Sequence, residues 1–298
     1  MSQTKEDLLR KIAAVNVWRK AGVRAPHKPL LILLGLALYQ QGKKSNVLFV
    51  DIEDQLRALL TEYGPPRTHV HPEYPFWRLQ HDGLWEIETD RDMQSRQGHD
   101  DPRVTELRSS KARGFFPEWI IRLLDRHEDL TRDIVARVLT AHFPSEIHSR
   151  IIGDLKLPST VIDPDRHQSE ATFKSEVLQA YAQTCALSGF ALRHAQSTYG
   201  VDAAYIRWPQ SGGPNRVSNG IAMTSLHAEL FARGIITIEP DYTVRLLDTA
   251  ELTSTARDIL LRSSDHKITL PVHKEDWPDP RFLRWHNKEV FRGAPVTI

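Results

Sequence analysis

The chain has 298 residues, 40% of them hydrophobic and 26% charged, which is ordinary globular composition and excludes a disordered, collagen-like or coiled-coil protein. Its net charge of +1 announces no nucleic-acid binder, so any DNA-binding face must come from local clustering. The longest apolar run, Pro29 to Tyr39, falls well short of the roughly 20 residues of a membrane span, and a single cysteine, Cys185, forbids an internal disulfide.

In chain order, residues 4–20 read as a helix. Thr4 and Asp7 stand in capping-box relation, and Leu8, Ile12 and Val15 share a face. The segment RAPHKPLLILL (24–34) opens a helix that is apolar nearly all round, hence buried, and Gly42 ends it. Residues 51–63 form an amphipathic helix with Leu56, Leu59, Leu60 and Tyr63 inward. In YPFWRLQHDGLWEIE (74–88), Asp82-Gly83 signals a hairpin between aromatic-rich strands. His69 and His71 lie beside prolines and read as loop residues. A polar helix is expected at 103–111, a break at Arg113-Gly114, and helices near 117–127 and 129–141. Residues 156–170 carry Pro158 and Pro164 and read as a linker. The expected domains are therefore 1–155 and 171–298. The second opens with a helix at 171–182. It continues with an extended stretch at 200–207, a loop at 212–215, a helix at 220–232 stopped by Gly234, and a hairpin of 235–239 with 243–247. Trp208, Trp277 and Trp285 read as core, and His273 and His286 as surface or packing residues. The fold class is α+β. The N-terminal MSQTKEDLLRK has no apolar core and is not read as a secretory signal, so the expected compartment is the cytoplasm.

In the second half, VDAAYIRWPQSGGPNRVSNGIAMTSLHAELFARG (201–234) has the layout strand, loop, asparagine, helix with histidine. It resembles the ββα-metal (HNH) nucleases. The pieces AAYI (203–206), SNG (218–220) and LHAELFARG (226–234) match patterns near AAHI, DNG and HH with LFDRG. CALSG (185–189) and RFLRWHNKEVF (281–291) extend the likeness over most of 171–293. Such domains use a strand histidine as general base, a helix histidine to hold one divalent metal, and an asparagine to pin the loop. The resemblance carries Asn219 over directly. Tyr205 stands at the base position, and tyrosine, with an ordinary pKa near 10, is a poor base at neutral pH. Nine residues beyond Asn219 comes Ala228, with His227 one position early, about 100° round a helix. Two readings stay open here. One is a variant nuclease using His227, Asp202 or His194 with Mg²⁺ or Mn²⁺, His227 being the candidate metal ligand. The other is an HNH fold that has lost catalysis.

In the first half, RAPHKPLLILL together with YPFWRL (74–79) resembles the sulfur-binding domain of phosphorothioate-dependent, type IV-like restriction endonucleases, which pair that domain with a C-terminal HNH domain in the same order. The likeness spans roughly 5–155 and implies a partner, double-stranded DNA carrying phosphorothioate. Sulfur is larger, softer and a poorer acceptor than the oxygen it replaces, so a site that prefers it needs an apolar notch ringed by basic groups. Tyr74 and Pro75 carry over from the YPF match, and Arg24, Pro26, His27 and Lys28 from PHKP, just before a helix N-terminus that favours phosphate. Arg108, Lys111 and Arg113 in RSSKARG are expected to touch phosphates or guanine edges, the bland alternative being a solvated helix end. The implied function is binding of phosphorothioated DNA with hydrolysis nearby. The alternative is a non-cleaving reader whose HNH domain is structural or binds a partner. A reader of some other modified base is a more distant reading. A homodimer is compatible with a nuclease that nicks both strands, but no dimer surface is legible.

Overall fold

The computed structural model describes residues 3–15, 17–20, 23–42, 47–91, 93, 101–157, 167–194, 197–260 and 267–293. They fall into two compact units, Met1–Ile162 and Asp163–Ile298. Both mix helices with small antiparallel sheets, an α+β architecture.

The first unit begins with α1 (Lys5–Ala13), closed by the capping box that Thr4 and Asp7 form through reciprocal hydrogen bonds. The helix is shorter than expected. It stops at Ala13, and β1 (Trp18–Lys20) pairs antiparallel with β2 (Val23–Ala25). The segment rich in valine and tryptophan prefers an extended backbone to a fourth helical turn. Leu8, Ile12 and Val15 are buried all the same.

Helix α2 (His27–Gln40) is the centre of the unit. Every residue from Pro29 to Leu38 is buried, as an all-round apolar sequence requires. Around it pack α3 (Phe49–Tyr63), α4 (Glu73–Arg78), α7 (Leu130–His142) and α8 (His148–Leu155). A three-stranded antiparallel sheet completes the unit, with β5 (Arg113–Phe115) between β3 (Val47–Leu48) and β4 (Glu86–Glu88). Helices α5 (Val104–Ser109) and α6 (Glu118–Arg126) flank β5 in sequence.

The expected hairpin at Asp82-Gly83 is not there. YPFWR belongs to α4, and Leu79–Asp82 continue it as a 3₁₀ turn that Gly83 ends in the left-handed conformation, φ +67°. Pro75 sits in the first turn of α4, where its missing N–H costs no helical hydrogen bond. The aromatic side chains that suggested strands instead form a core ladder. Phe76 meets Phe49 and Trp85, and Trp85 meets Phe116, all edge to face.

The second unit opens with α9 (His167–Ala180). Residues 158–166, most of the expected linker, lie outside the described residues. A ribbon of β6 (Leu192–His194) and β7 (Ser197–Tyr199) precedes β8 (Val201–Tyr205), which pairs antiparallel with β9 (Gly220–Thr224) in the register Tyr205 to Gly220. Helix α10 (Ser225–Ala232) follows at once, capped by the Thr224 hydroxyl on the His227 N–H. The expected helix at 220–232 is thus half strand, because GIAMT is buried on both faces and completes a ladder with AAY. Gly220 lies close beneath α9, where an added Cβ would fall 2.3 Å from Val177. The hairpin of β10 (Ile236–Ile238) and β11 (Val244–Leu246) forms as expected, and Gly234 ends α10 at φ +68°. Helices α11 (Ser254–Leu260) and α12 (Pro280–Glu289) complete the unit. Trp208, Trp277 and Trp285 are half-buried rather than core.

Candidate nucleic-acid interface

The entry to α2 gathers the residues singled out from RAPHKP. Pro26 is buried and occupies the N-cap position with no side-chain cap, and His27 is the first helical residue. Arg24 lies on β2 opposite Arg19, and its side chain is outside the described residues. Burial pushes the His27 imidazole down to about 4, and the neighbouring Arg67, Arg78 and His71 add to the shift. At neutral pH the ring is therefore neutral, and these basic side chains surround it. The ammonium of Lys28 is bound to Asp82 at 2.6 Å, with both side chains mostly buried. Its charge is largely compensated.

Helix α4 carries Tyr74, Pro75 and Arg78. The Tyr74 ring stacks on His71, with centroids 4.6 Å apart and planes 14° apart. The guanidinium carbon of Arg78, one helical turn on, lies 4.5 Å from the centroid of the same ring. Arg78 is held in place by a two-pronged grip on Asp101, one prong being Nε to Oδ1 at 2.8 Å. Pro75 is buried beside Tyr74 and fixes the backbone there. His71 and Arg78 both lie against the Tyr74 ring, and both also act on the His27 imidazole.

His71 reads only as a loop residue in the sequence, and nothing there singles out Arg67 or Arg78. Arg78 stands four residues after Tyr74, a spacing that places it over the ring only if the segment is helical. The hairpin expectation hid it.

Arg108, Lys111 and Arg113 have other attachments. Arg108 Nε donates to Glu53 Oε2 at 2.7 Å, and Arg57 donates to Glu53 Oε1 at 2.6 Å. Burial raises the Glu53 carboxyl, but the two guanidinium groups outweigh it and hold the pKa below the usual range. Half of the Arg108 side chain remains exposed. Lys111, at φ +48°, pairs with Asp90 at 3.5 Å and is exposed. Arg113 is half-buried on β5, opposite Leu48 and Glu88.

In the second unit the loop between β8 and β9 is tied by Asn219. This side chain is fully buried. Its amide donates to the carbonyls of Arg207 and Pro214, and its oxygen accepts the Arg207 N–H, all at 2.9 Å. Tyr205 stacks on Phe173 at 4.0 Å, and its hydroxyl donates to Asn215 at 2.9 Å. His227 is buried, with Nδ1 2.6 Å from the Thr224 hydroxyl and Nε2 3.2 Å from the Leu260 carbonyl. A carbonyl only accepts, so Nε2 carries the proton and Nδ1 accepts from Thr224. Both nitrogens are engaged, and neither is offered to a metal. Among the described residues no group of three His, Cys, Asp or Glu side chains is placed to hold one. The residues present do not fit a divalent ion at His227. Of the substitutes, Asp202 is exposed and bound to Lys174 at 3.1 Å, and His194 is exposed on β6.

Comparison with known proteins returns one family, described as "ScoMcrA-like, DNA sulfur-binding domain", over residues 5–160. No curated protein matches. Among solved structures, the sulfur-binding domain of SprMcrA complexed with phosphorothioated DNA is similar at 23% identity and TM-score 0.43, covering 52% of this chain and 94% of that one. The sulfur-binding domain of ScoMcrA complexed with phosphorothioated DNA gives 21% identity and TM-score 0.43, over 50% of this chain and 94% of that one. The modification-dependent TagI restriction endonuclease gives 20% identity and TM-score 0.31, over 39% and 36%.

Proposed function

The chain belongs to the ScoMcrA-like DNA sulfur-binding domain family through residues 5–160, and from that membership we propose that it reads phosphorothioate-modified double-stranded DNA with its first unit. The observation that carries the reading is the Tyr74 ring, set beside buried Pro75 and flanked by His71 and Arg78, both of which also act on His27 at the start of α2. A flat apolar surface accepts the sulfur, which is a poor hydrogen-bond acceptor. The guanidinium and imidazole groups and the α2 N-terminus take the remaining phosphate oxygens. Tyr74, Pro75, Pro26 and His27 act on the sulfur-bearing phosphate. Lys28 orders the site through Asp82. Arg24, Arg108, Lys111 and Arg113 are assigned to the flanking duplex.

We assign the second unit a structural or partner-binding role rather than DNA cleavage. The strand–loop–strand–helix order of β8, β9 and α10, with Asn219 tying the loop, supports descent from an HNH domain. Against cleavage stand Tyr205 and Ala228 at the two histidine positions and the full engagement of His227. The competing reading, an HNH endonuclease working with Mg²⁺ or Mn²⁺, predicts sulfur-dependent strand cuts. The test incubates the full chain with matched duplexes, with and without one phosphorothioate, in each metal. Binding confined to the sulfur duplex with no cuts supports the reader. Cuts in either metal restore the endonuclease, and equal binding to both duplexes rejects the sulfur reading.

A further inference from the structure

His71 lies just before α4, and its side chain is 44% exposed beside Tyr74. Its Nδ1 is 2.8 Å from Oε1 of Glu73, a buried carboxylate whose other oxygen has no hydrogen-bond partner. An ionised carboxylate only accepts, so Nδ1 is the nitrogen that carries a proton. In the neutral ring Nε2 is then a lone pair, which repels a phosphate oxygen. In the imidazolium it is an N–H, which donates to one. Glu73 therefore fixes which nitrogen switches with pH.

On α4, Glu73 accepts from this ring and Tyr74 stacks on it; His27 on α2 is influenced by the ring, by Arg67 on the loop before α4 and by Arg78, which is itself paired with Asp101. Glu73 and Asp101 offset part of the positive charge here, yet the neighbouring bases still disfavour a charge on His27. That crowding, after burial, holds His27 down at about 4. A phosphate entering the notch relieves the repulsion and favours a further positive charge.

Resting on the reader function above, we propose that His71 is a further phosphate-contacting residue of the notch and that it engages the DNA backbone only as imidazolium, so that binding takes up a proton. The sign follows directly. A histidine whose pKa is higher in the complex than in the free protein favours binding at low pH, and the contribution fades as pH rises through the value in the complex.

The experiment measures dissociation constants of the full chain for a duplex with one phosphorothioate and for its unmodified twin. It runs from about pH 5.5 to about 8.5, bracketing an ordinary histidine, at fixed ionic strength. The native chain is expected to weaken with rising pH by up to about tenfold per unit, the limit for one proton. H71Q is expected to lose the slope and to bind at low pH as weakly as the native chain does at high pH. H71R is expected to bind at every pH without the slope. Calorimetry of the native chain in two buffers of different ionisation enthalpy reads the proton uptake without any variant. A flat profile with intact sulfur preference overturns this inference alone. A slope that survives in H71Q and vanishes in H27Q assigns the proton to His27 and also overturns it. Loss of sulfur preference at every pH rejects the reader function, and this inference with it.

Discussion

Arg78 lies over the ring of Tyr74, its guanidinium carbon 4.5 Å from the ring centroid, while Asp101 grips the same guanidinium along its Nε–Nη2 edge. The tyrosine is thereby held as a flat surface before any ligand arrives. A preformed wall loses little side-chain entropy on binding.

On the proposed reading, replacing Arg78 by methionine removes a positive charge of the phosphate site, takes away the guanidinium that pairs with Asp101 and keeps the aliphatic stem on the ring. The expected result is weaker binding to modified and unmodified duplexes alike. The slope of log affinity against log salt should fall by about one. Fluorescence anisotropy across a salt series checks both. An unchanged salt slope would mean that Arg78 only props Tyr74.

Asp82 neutralises Lys28 in a largely buried pair at 2.6 Å. Asp82→Asn should destabilise the fold, toward or below the low end of the about 3–5 kcal/mol that breaking a buried pair costs. It should also raise affinity for unmodified DNA by releasing the ammonium charge. Urea unfolding and a gel shift on unmodified duplex read the two effects.

Gly114 on β5 lies flat against the Trp85 indole. A Cβ there would fall 2.5 Å from its Nε1 and Cζ2 atoms, and the ring is itself wedged between Phe76 and Phe116. Gly114→Ala should therefore lower stability by about 1–3 kcal/mol through overpacking, visible as a lower urea midpoint at unchanged slope.

His286 is fully buried on Phe231, with Nε2 donating to the Phe231 carbonyl and Nδ1 accepting from Thr237. Burial drives its pKa down to about 3, against the smaller upward pull of the carbonyl. The unfolded chain binds the proton at the ordinary value near 6.5. Its stabilising contribution is complete above that value and is lost as pH falls from about 6.5 toward about 3, by up to about 1.4 kcal/mol per unit. Denaturant titrations over that window should show the fall, and a less steep one in His286→Gln.

Much of the fold was legible, and the failures have physical causes. The all-round apolar run gave α2 with its end at Gly42, and the heptad-like spacing gave α3. Asn219 was legible as the residue that ties the β8–β9 loop. The aromatic-rich YPFWRL was misread because aromatic residues favour strands and Asp-Gly favours hairpins. The packing of Phe76 against Phe49 and Trp85 overrode both preferences. GIAMT was misread as helix because a buried strand and a buried helix look alike over five apolar residues. The candidate site was half visible: PHKP and YPF pointed to Pro26, His27, Tyr74 and Pro75, but His71 and Arg78 reach Tyr74 only in the folded structure. Helix α8, hidden between Phe143 and the expected linker, carried no signal strong enough to separate it from the helix before it.

The most direct test compares the native chain with Tyr74→Ala in competition binding between a phosphorothioate duplex and its oxygen twin. The account predicts a clear sulfur preference in the native chain. In the variant it should shrink by roughly tenfold or more, the scale of about 1.5–3 kcal/mol for a buried apolar side chain, while weak salt-sensitive binding to both duplexes remains. A variant that loses both duplexes equally, or keeps the native preference, would contradict the claim that this ring is the surface that recognises sulfur.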